Sequence, residues 1–309
     1  MKSGSPATLT IGSRGSHLAL WQAHHVAGLL EQLGVETRIT IIKTTGDQLQ
    51  TASLTQAGGK GLFTREIEDA LLAGVIDLAV HSLKDLPTET PEGLVIAAIP
   101  EREDPRDALA GKSLLELSRG ALVGTSSGRR AAQLQILRPD LHIQPVRGNV
   151  DTRLRKLKEG QYEAIVLAAA GLRRLGLEAE IAELLAPELM CPAAGQGALA
   201  IETRAADPAY EICRALDHAP STQAVRCERA ALETLGGGCQ LPVGAFAHIV
   251  NSSLRLTAVV VSPDGSKRLS ETAEASVEAG EQLGRQVAQS LLSQGAGSIL
   301  AAAAAKVGS

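Results

Sequence analysis

Short apolar runs alternate with stretches of helical period over the first two thirds of the chain. Residues 9–12 (Leu-Thr-Ile-Gly) read as a strand, 13–16 as a polar turn and 18–33 as a helix that Gly34 ends. Alternation over 35–43 predicts a second strand, and Gly58-Gly59-Lys60-Gly61 a flexible loop. A helix is expected over 63–73, closed by Gly74, and a strand over 75–80 of the continuous apolar kind that parallel sheets bury. The pattern then recurs, with strands over 121–124, 142–147 and 164–168 and helices over 129–137 and 150–159. Such alternation predicts α/β layers on parallel sheets. From about residue 218 it changes to a helix (222–235), two strands (254–262 and 268–273) around the turn Pro263-Asp264-Gly265-Ser266, and a long helix (280–294). That is a small α+β domain. The charged, proline-containing stretch 100–105 reads as a crossover between domains.

Composition narrows the picture. The 309 residues suffice for two or three domains, and 44% hydrophobic residues can build their cores. Only 2% are aromatic, so the cores are aliphatic and base-stacking surfaces for single-stranded nucleic acid are disfavoured. A net charge of -4 provides no overall attraction to DNA or RNA. Cys191, Cys213, Cys227 and Cys239 form no C-x-x-C pair and no zinc spacing, so neither disulfides nor a metal are expected. The first residues lack the apolar core of a signal peptide, and no apolar run is long enough to span a bilayer. The alanine run 301–305 reads as the end of a C-terminal helix. A soluble, cytoplasmic protein with reduced thiols is expected.

Arginines gather at predicted turns: Arg14 after the first strand, Arg129 and Arg130 after Thr125-Ser126-Ser127, Arg147 at a strand end, Arg153 and Arg155 on the next helix, Arg173 and Arg174 after Gly171. Ligands of open α/β sheets bind beyond the carboxyl ends of strands. Helix starts at Ser16 and Ser127 add backbone N–H groups that favour anions. Guanidinium groups match carboxylates two-pronged, so the set suits a multiply charged small anion. Surface ion pairing is the ordinary fate of any single arginine among them. Lys84 and Asp85, in His81-Ser82-Leu83-Lys84-Asp85-Leu86-Pro87-Thr88, follow a buried strand; Asp85 could face a substrate cation or pass a proton to a leaving group, or merely serve its own turn. The small-residue loop 192–198 lacks the Lys-Ser/Thr ending of a P-loop and reads better as a hinge or as close backbone packing. Cys239 follows three glycines, a setting that a small buried hydrophobe does not need and a reactive or modified thiol could use.

Seven segments carry a resemblance to a known family: 11–23 (Ile-Gly-Ser-Arg-Gly-Ser-His-Leu-Ala-Leu-Trp-Gln-Ala), 58–63 (Gly-Gly-Lys-Gly-Leu-Phe), 81–88, 124–130 (Gly-Thr-Ser-Ser-Gly-Arg-Arg), 147–153 (Arg-Gly-Asn-Val-Asp-Thr-Arg), 192–197 (Pro-Ala-Ala-Gly-Gln-Gly) and 238–244 (Gly-Cys-Gln-Leu-Pro-Val-Gly). In this order they closely resemble the porphobilinogen deaminases, or hydroxymethylbilane synthases. The resemblance implies an α/β fold of two periplasmic-binding-protein-like (type II) lobes plus a small α+β C-terminal domain. The corresponding domains are 1–99 with 200–217, 100–199, and 218–309, the last carrying the cysteine. It implies a dipyrromethane cofactor held by a thioether to Cys239, and condensation of four porphobilinogens, with loss of ammonia, to hydroxymethylbilane. Each pyrrole bears an acetate and a propionate, which accounts for the arginines. By position, Asp85 matches the catalytic carboxylate and a cofactor contact. Ser82, Lys84, Ser126, Ser127, Arg129 and Arg130 match cofactor contacts. Arg14, Ser16, Arg147, Arg153, Arg174, Lys60 and Phe63 match substrate contacts, the last two in a loop over the cleft between the lobes. A monomer is implied. Gly128, Gln56-Ala57 and Asp151 depart from the family pattern, which bears on substrate affinity rather than reaction class. A non-enzymatic anion-binding protein and a nucleic-acid-binding protein are the competing readings; the first needs neither Cys239 nor Asp85, and the acidic net charge disfavours the second.

Overall fold

The computed structural model describes residues 8–48, 64–238 and 241–307. In chain order the elements are β1 (Leu9–Ser13), α1 (His17–Gln32), β2 (Thr37–Ile41), α2 (Thr45–Gln48), α3 (Arg65–Leu72), β3 (Leu78–Ser82) and β4 (Leu94–Ala98). They continue as β5 (Asp107–Gly111), β6 (Leu122–Gly124), α4 (Gly128–Leu137), β7 (His142–Gln144), α5 (Val150–Lys158), β8 (Ala164–Ala168), α6 (Ala169–Arg174) and β9 (Ile181–Leu185). The chain ends with β10 (Leu199–Arg204), α7 (Pro208–Arg214), α8 (Ala219–Thr234), β11 (Val243–Val250), β12 (Ser253–Val261), β13 (Arg268–Ser276), α9 (Gly280–Ser293) and α10 (Ala296–Val307). These elements pack into two compact units, Met1–Arg102 with Ala198–Thr222, and Glu103–Gly197 with Gln223–Ser309.

The first unit is built on a five-stranded sheet in the order β2-β1-β3-β10-β4. β1 runs parallel to β2 and β3, whereas β10 is antiparallel to both β3 and β4. Leu78 and Val80 point to one face, where Ala23, Val26 and Leu30 of α1 and Ala209 of α7 bury them. Ala79 points to the other, under Ile67 and Leu71 of α3. This is the period-two alternation of a strand covered on both sides.

The second unit repeats the scheme. Its sheet runs β7-β6-β8-β5-β9, with β6 parallel to its neighbours and β5 antiparallel to β8 and β9. In both sheets one strand, β10 in the first and β5 in the second, is wedged antiparallel beside the third parallel strand. The two lobes thus share one strand order, as the expected pair of α/β lobes requires. The same unit holds the antiparallel sheet β11-β12-β13, whose Ala258, Leu256 and Leu254 pack with Cys227 of α8, Leu283 and Leu291 of α9 and Leu300 of α10. The other face of β12 meets the α/β lobe, where Val259 and Val261 pack with Ala132 of α4 and Cys191.

The expected parallel sheets are therefore mixed, because β10 and β5 run antiparallel to the strands beside them. The strand expected over 75–80 starts only at Leu78. Val75 is 60% exposed, and the Asp77 carboxylate instead accepts from the Thr10 N–H at 2.7 Å. The strand expected over 142–147 stops at Gln144, since Pro145 has no N–H for the ladder. α2, β4, β5, β9, β11, α6 and α7 lie outside those expectations, while α1, α4, α5, β8, β12 and α9 lie within about two residues of them, the usual uncertainty of helix and strand ends.

Two glycine segments have local reasons. At the end of α8, Gly236 and Gly237 take φ of +100° and +48°. Their N–H groups bond to the carbonyls of Glu233 and Leu232, both at 2.9 Å, so two of the three glycines before Cys239 also close a helix. In the 192–198 loop, a side chain at Gly197 would run into the Glu103 carbonyl, which bears out the close-packing reading there.

Candidate active site

In the first unit the carboxyl ends of β1 and β3 open onto one cleft, lined by Arg14, Ser16, Gln22, Thr64, His81, Ser82 and Asp85 among others. Ser16 caps α1, its hydroxyl accepting from the Ala19 N–H at 3.3 Å, so the helix N-terminus faces this region. β3 ends at Ser82, and one 3-10 turn, Leu83–Asp85, carries the chain on. That turn hangs from the Leu83 N–H, bonded to the Ala198 carbonyl at 3.1 Å. Lys84 is half-buried and Asp85 exposed. The Gln22 amide, buried in α1, donates to the Ser82 hydroxyl at 2.8 Å and so ties helix to strand end. Gln22 went unread because it looks like any polar residue in an amphipathic helix.

The second unit gathers its arginines around a buried acid. Ser127 caps α4 through the Arg130 N–H at 3.4 Å, and Ser126 donates to the Val146 carbonyl at 2.8 Å. Arg129 and Arg130 turn inward and are 4% and 6% exposed. Arg129 Nη1 donates to Asp107 Oδ2 and to the Cys191 carbonyl, both at 2.6 Å. Arg130 reaches Asp107 Oδ1 through Nε at 2.8 Å and the Val166 carbonyl through Nη1 at 3.0 Å, and the Gln196 amide adds a bond of 2.9 Å to Asp107. Burial works to raise the Asp107 carboxyl, but the two arginines and these hydrogen bonds outweigh it and hold it well below the usual range. Asp107 gave no signal beyond a lone acid at the head of an apolar run.

Arg174 is buried and donates to the Gly197 carbonyl at 2.6 Å; burial pulls its guanidinium down to about 10. Arg153 lies over the start of α5, its Nε bonded to the Gly148 carbonyl at 2.8 Å, and exposed Arg147 sits in the preceding loop rather than on a strand. Arg155 and Arg173 have the ordinary surface fate, paired with Glu159 at 3.7 Å and Glu103 at 3.0 Å. Gly128 opens α4, and Asp151 stands exposed in the first turn of α5, where a negative charge suits the helix end. Cys239, Lys60, Phe63 and the Gln56-Ala57 departure lie outside the described residues.

The remaining thiols, Cys191, Cys213 and Cys227, are buried and unpaired with one another, and burial pushes each up to about 12. Among the described residues no group of His, Cys, Asp and Glu could hold a metal ion, and no helix is long and apolar enough to cross a membrane.

Glu228 of α8 is fully buried and accepts from the N–H groups of Gly195 at 2.7 Å and Ala247 at 2.8 Å. It joins the small-residue loop to β11. Glu228→Gln sets an amide NH2 against one of these donors. It is expected to lose about 1.5–3 kcal/mol of stability, the scale of a hydrogen bond to a charged group, to be checked by urea denaturation.

Two α/β lobes of one strand order, with arginines and capped helix starts at their strand ends and an appended α+β domain, define the class. Residues 9–211 match the family model described as "Porphobilinogen deaminase, dipyromethane cofactor binding domain", and residues 222–293 match "Porphobilinogen deaminase, C-terminal domain". The chain is 51% identical over 306 residues to the porphobilinogen deaminase of Nitrosomonas europaea, covering 97% of this chain and 99% of that one. It is 50% identical over 299 residues to that of Thiobacillus denitrificans, covering 95% and 98%. Among solved structures it is similar to a periplasmic substrate-binding protein from Coxiella burnetii, with a TM-score of 0.41, 14% identity and coverage of 69% and 93%. The chain belongs to the porphobilinogen deaminase family.

Proposed function

We propose that the cleft of the first unit is where this deaminase joins porphobilinogen units, with Asp85 as its catalytic carboxylate. The enzyme is a hydroxymethylbilane synthase: it condenses four porphobilinogen molecules head to tail, with loss of ammonia, to hydroxymethylbilane in tetrapyrrole biosynthesis. The observation that carries the reading is the convergence of Arg14, the α1 N-terminus, Ser82 and Asp85 on one cleft.

The donor chemistry suits a dipyrromethane, a group with several carboxylates and two pyrrole N–H donors. Arg14, Arg147, Arg153 and Arg174, with Ser16, Ser126 and Ser127, are the residues to meet acetate and propionate groups of cofactor and substrate. Ser82, Lys84 and Asp85 are assigned to the rings. Arg129 and Arg130 already share Asp107, so we assign them first to building the α4 end and through it to the cofactor. Lys60 and Phe63 remain assigned to substrate. When bound, the dipyrromethane supplies the free pyrrole position to which the first substrate unit is joined. Asp85 stabilises the positive charge that develops on the substrate's ring nitrogen as ammonia departs, a charge placed where the reaction creates one.

Cys239 is the attachment point in this reading. The other three thiols are sealed in cores, and a thiol held that far from ionisation makes a poor nucleophile. The domains are those of the resemblance, 1–99 with 200–217, 100–199, and 218–309, and the enzyme acts as a cytoplasmic monomer without nucleic acid or membrane. Intact mass is the test. Purified protein is expected to exceed its sequence mass by two deaminated porphobilinogen units, and Cys239→Ser to show the bare mass. A chain that stays unmodified after incubation with porphobilinogen, and releases no ammonia, returns the protein to the anion-binding reading.

A further inference from the structure

Ser82 and His81 are consecutive on β3, so their side chains leave opposite faces of the strand. Ser82 is tied to Gln22. His81 turns to Glu202 of β10, its Nε2 at 3.1 Å from Oε2. Both are buried, the histidine 6% exposed and the glutamate 0%. Register explains the meeting: Glu202 lies opposite Ala79, and Ala79 and His81 share a face. The covering helix α3 brings Glu68 close, and burial raises its carboxyl.

The arrangement is expensive for a core. Among the described residues Glu202 Oε1 has no hydrogen-bond partner, and a buried carboxylate satisfied on one side carries a desolvation penalty that apolar filling would avoid. Ile67, Leu71 and Ala79 pack together on the same face. The polar pair also lies directly behind the strand end that carries Asp85, and His81 lines the same cleft. Beyond Ser82 the chain continues directly into the single turn Leu83–Asp85. A carboxylate that must meet a developing cation needs a fixed backbone beneath it, since displacement by about 1 Å can lower a rate some 100-fold.

We propose that Glu202 and His81 are a positioning pair for the reaction: Glu202 fixes the His81 ring, and the ring fixes the carboxyl end of β3, so that Ser82 and Asp85 meet substrate in one geometry. The inference rests on Asp85 being the catalytic carboxylate.

The test compares Glu202→Gln, His81→Leu and Glu202→Leu with the double variant carrying both leucines. All are purified as holoenzymes with cofactor loading checked by intact mass. Each single change is expected to lower kcat about 10- to 100-fold with KM within about threefold, the signature of lost geometry rather than lost binding. The double variant is expected to be no slower than the slower single leucine variant, because the two groups act as a unit. Glu202→Gln keeps the volume of the site, so it retains a folded chain to measure should the leucine variants fail to fold. A kcat within twofold of the unaltered enzyme in loaded Glu202→Gln or in the double variant overturns the proposal, as does a change confined to KM. Asp85→Asn, assayed alongside, separates the two claims. If it is active, the role of Asp85 falls; if it is inactive while the pair variants are not, only the positioning pair falls.

Discussion

Asp107→Asn is expected to destabilise the second unit by about 3–5 kcal/mol, the scale for breaking a buried ion pair from one side. Asp107 is wholly buried, and its two oxygens take Arg129 at 2.6 Å, Arg130 at 2.8 Å and Gln196 at 2.9 Å. The asparagine takes the Asp107 counter-charge from two buried guanidinium groups and turns an NH2 toward donors. Both arginines sit in the first turn of α4, so the loss spreads to the strand ends at Ser126 and Val146. The pH dependence has a definite sign. A carboxyl depressed in the folded state stabilises fully above its unfolded value of about 4, and that stability is lost as pH falls below it toward the folded value. Thermal melts between pH 7 and 2 are therefore expected to fall less steeply with acid in Asp107→Asn than in the unaltered chain. Equal slopes would mean that Asp107 titrates in the fold as it does in the unfolded chain.

Asp85→Asn is expected to keep the fold and lose turnover by about 10²- to 10⁴-fold, with KM little changed. The fold survives because Asp85 is exposed at the end of a turn whose anchors are the backbone bond of Leu83 to Ala198 and the buried Leu83 and Leu86 side chains. Turnover falls because an amide can accept a hydrogen bond from a pyrrole N–H but brings no negative charge to a developing cation. Initial rates of porphobilinogen consumption, with loading verified by mass, decide it. A rate near that of the unaltered enzyme would remove Asp85 from the mechanism.

Much of the candidate site was legible because its parts are local. Ser16 and Ser127 read as helix starts from the residues after them, and both cap their helices. The turn carrying Asp85 follows a visible apolar strand, and the motif segments name the family without reference to packing. The mixed sheets were not legible, because periodicity describes a strand and says nothing of its partner. β10 and β5 look like any other apolar run, and their antiparallel places follow from where the chain returns.

The sequence by itself determined the family, the alternating α/β plan, the α+β ending, and which turns carry arginine, Asp85 and Cys239. Those are properties of neighbouring residues. Only the tertiary structure decided that Arg129 and Arg130 spend charge on Asp107, 22 and 23 residues away, and that His81 meets Glu202, 121 residues away. Such pairings depend on register and burial. In the low-dielectric interior a charge must take the partner that the fold brings within about 3 Å, a choice made by the sheet and not by the sequence around either residue.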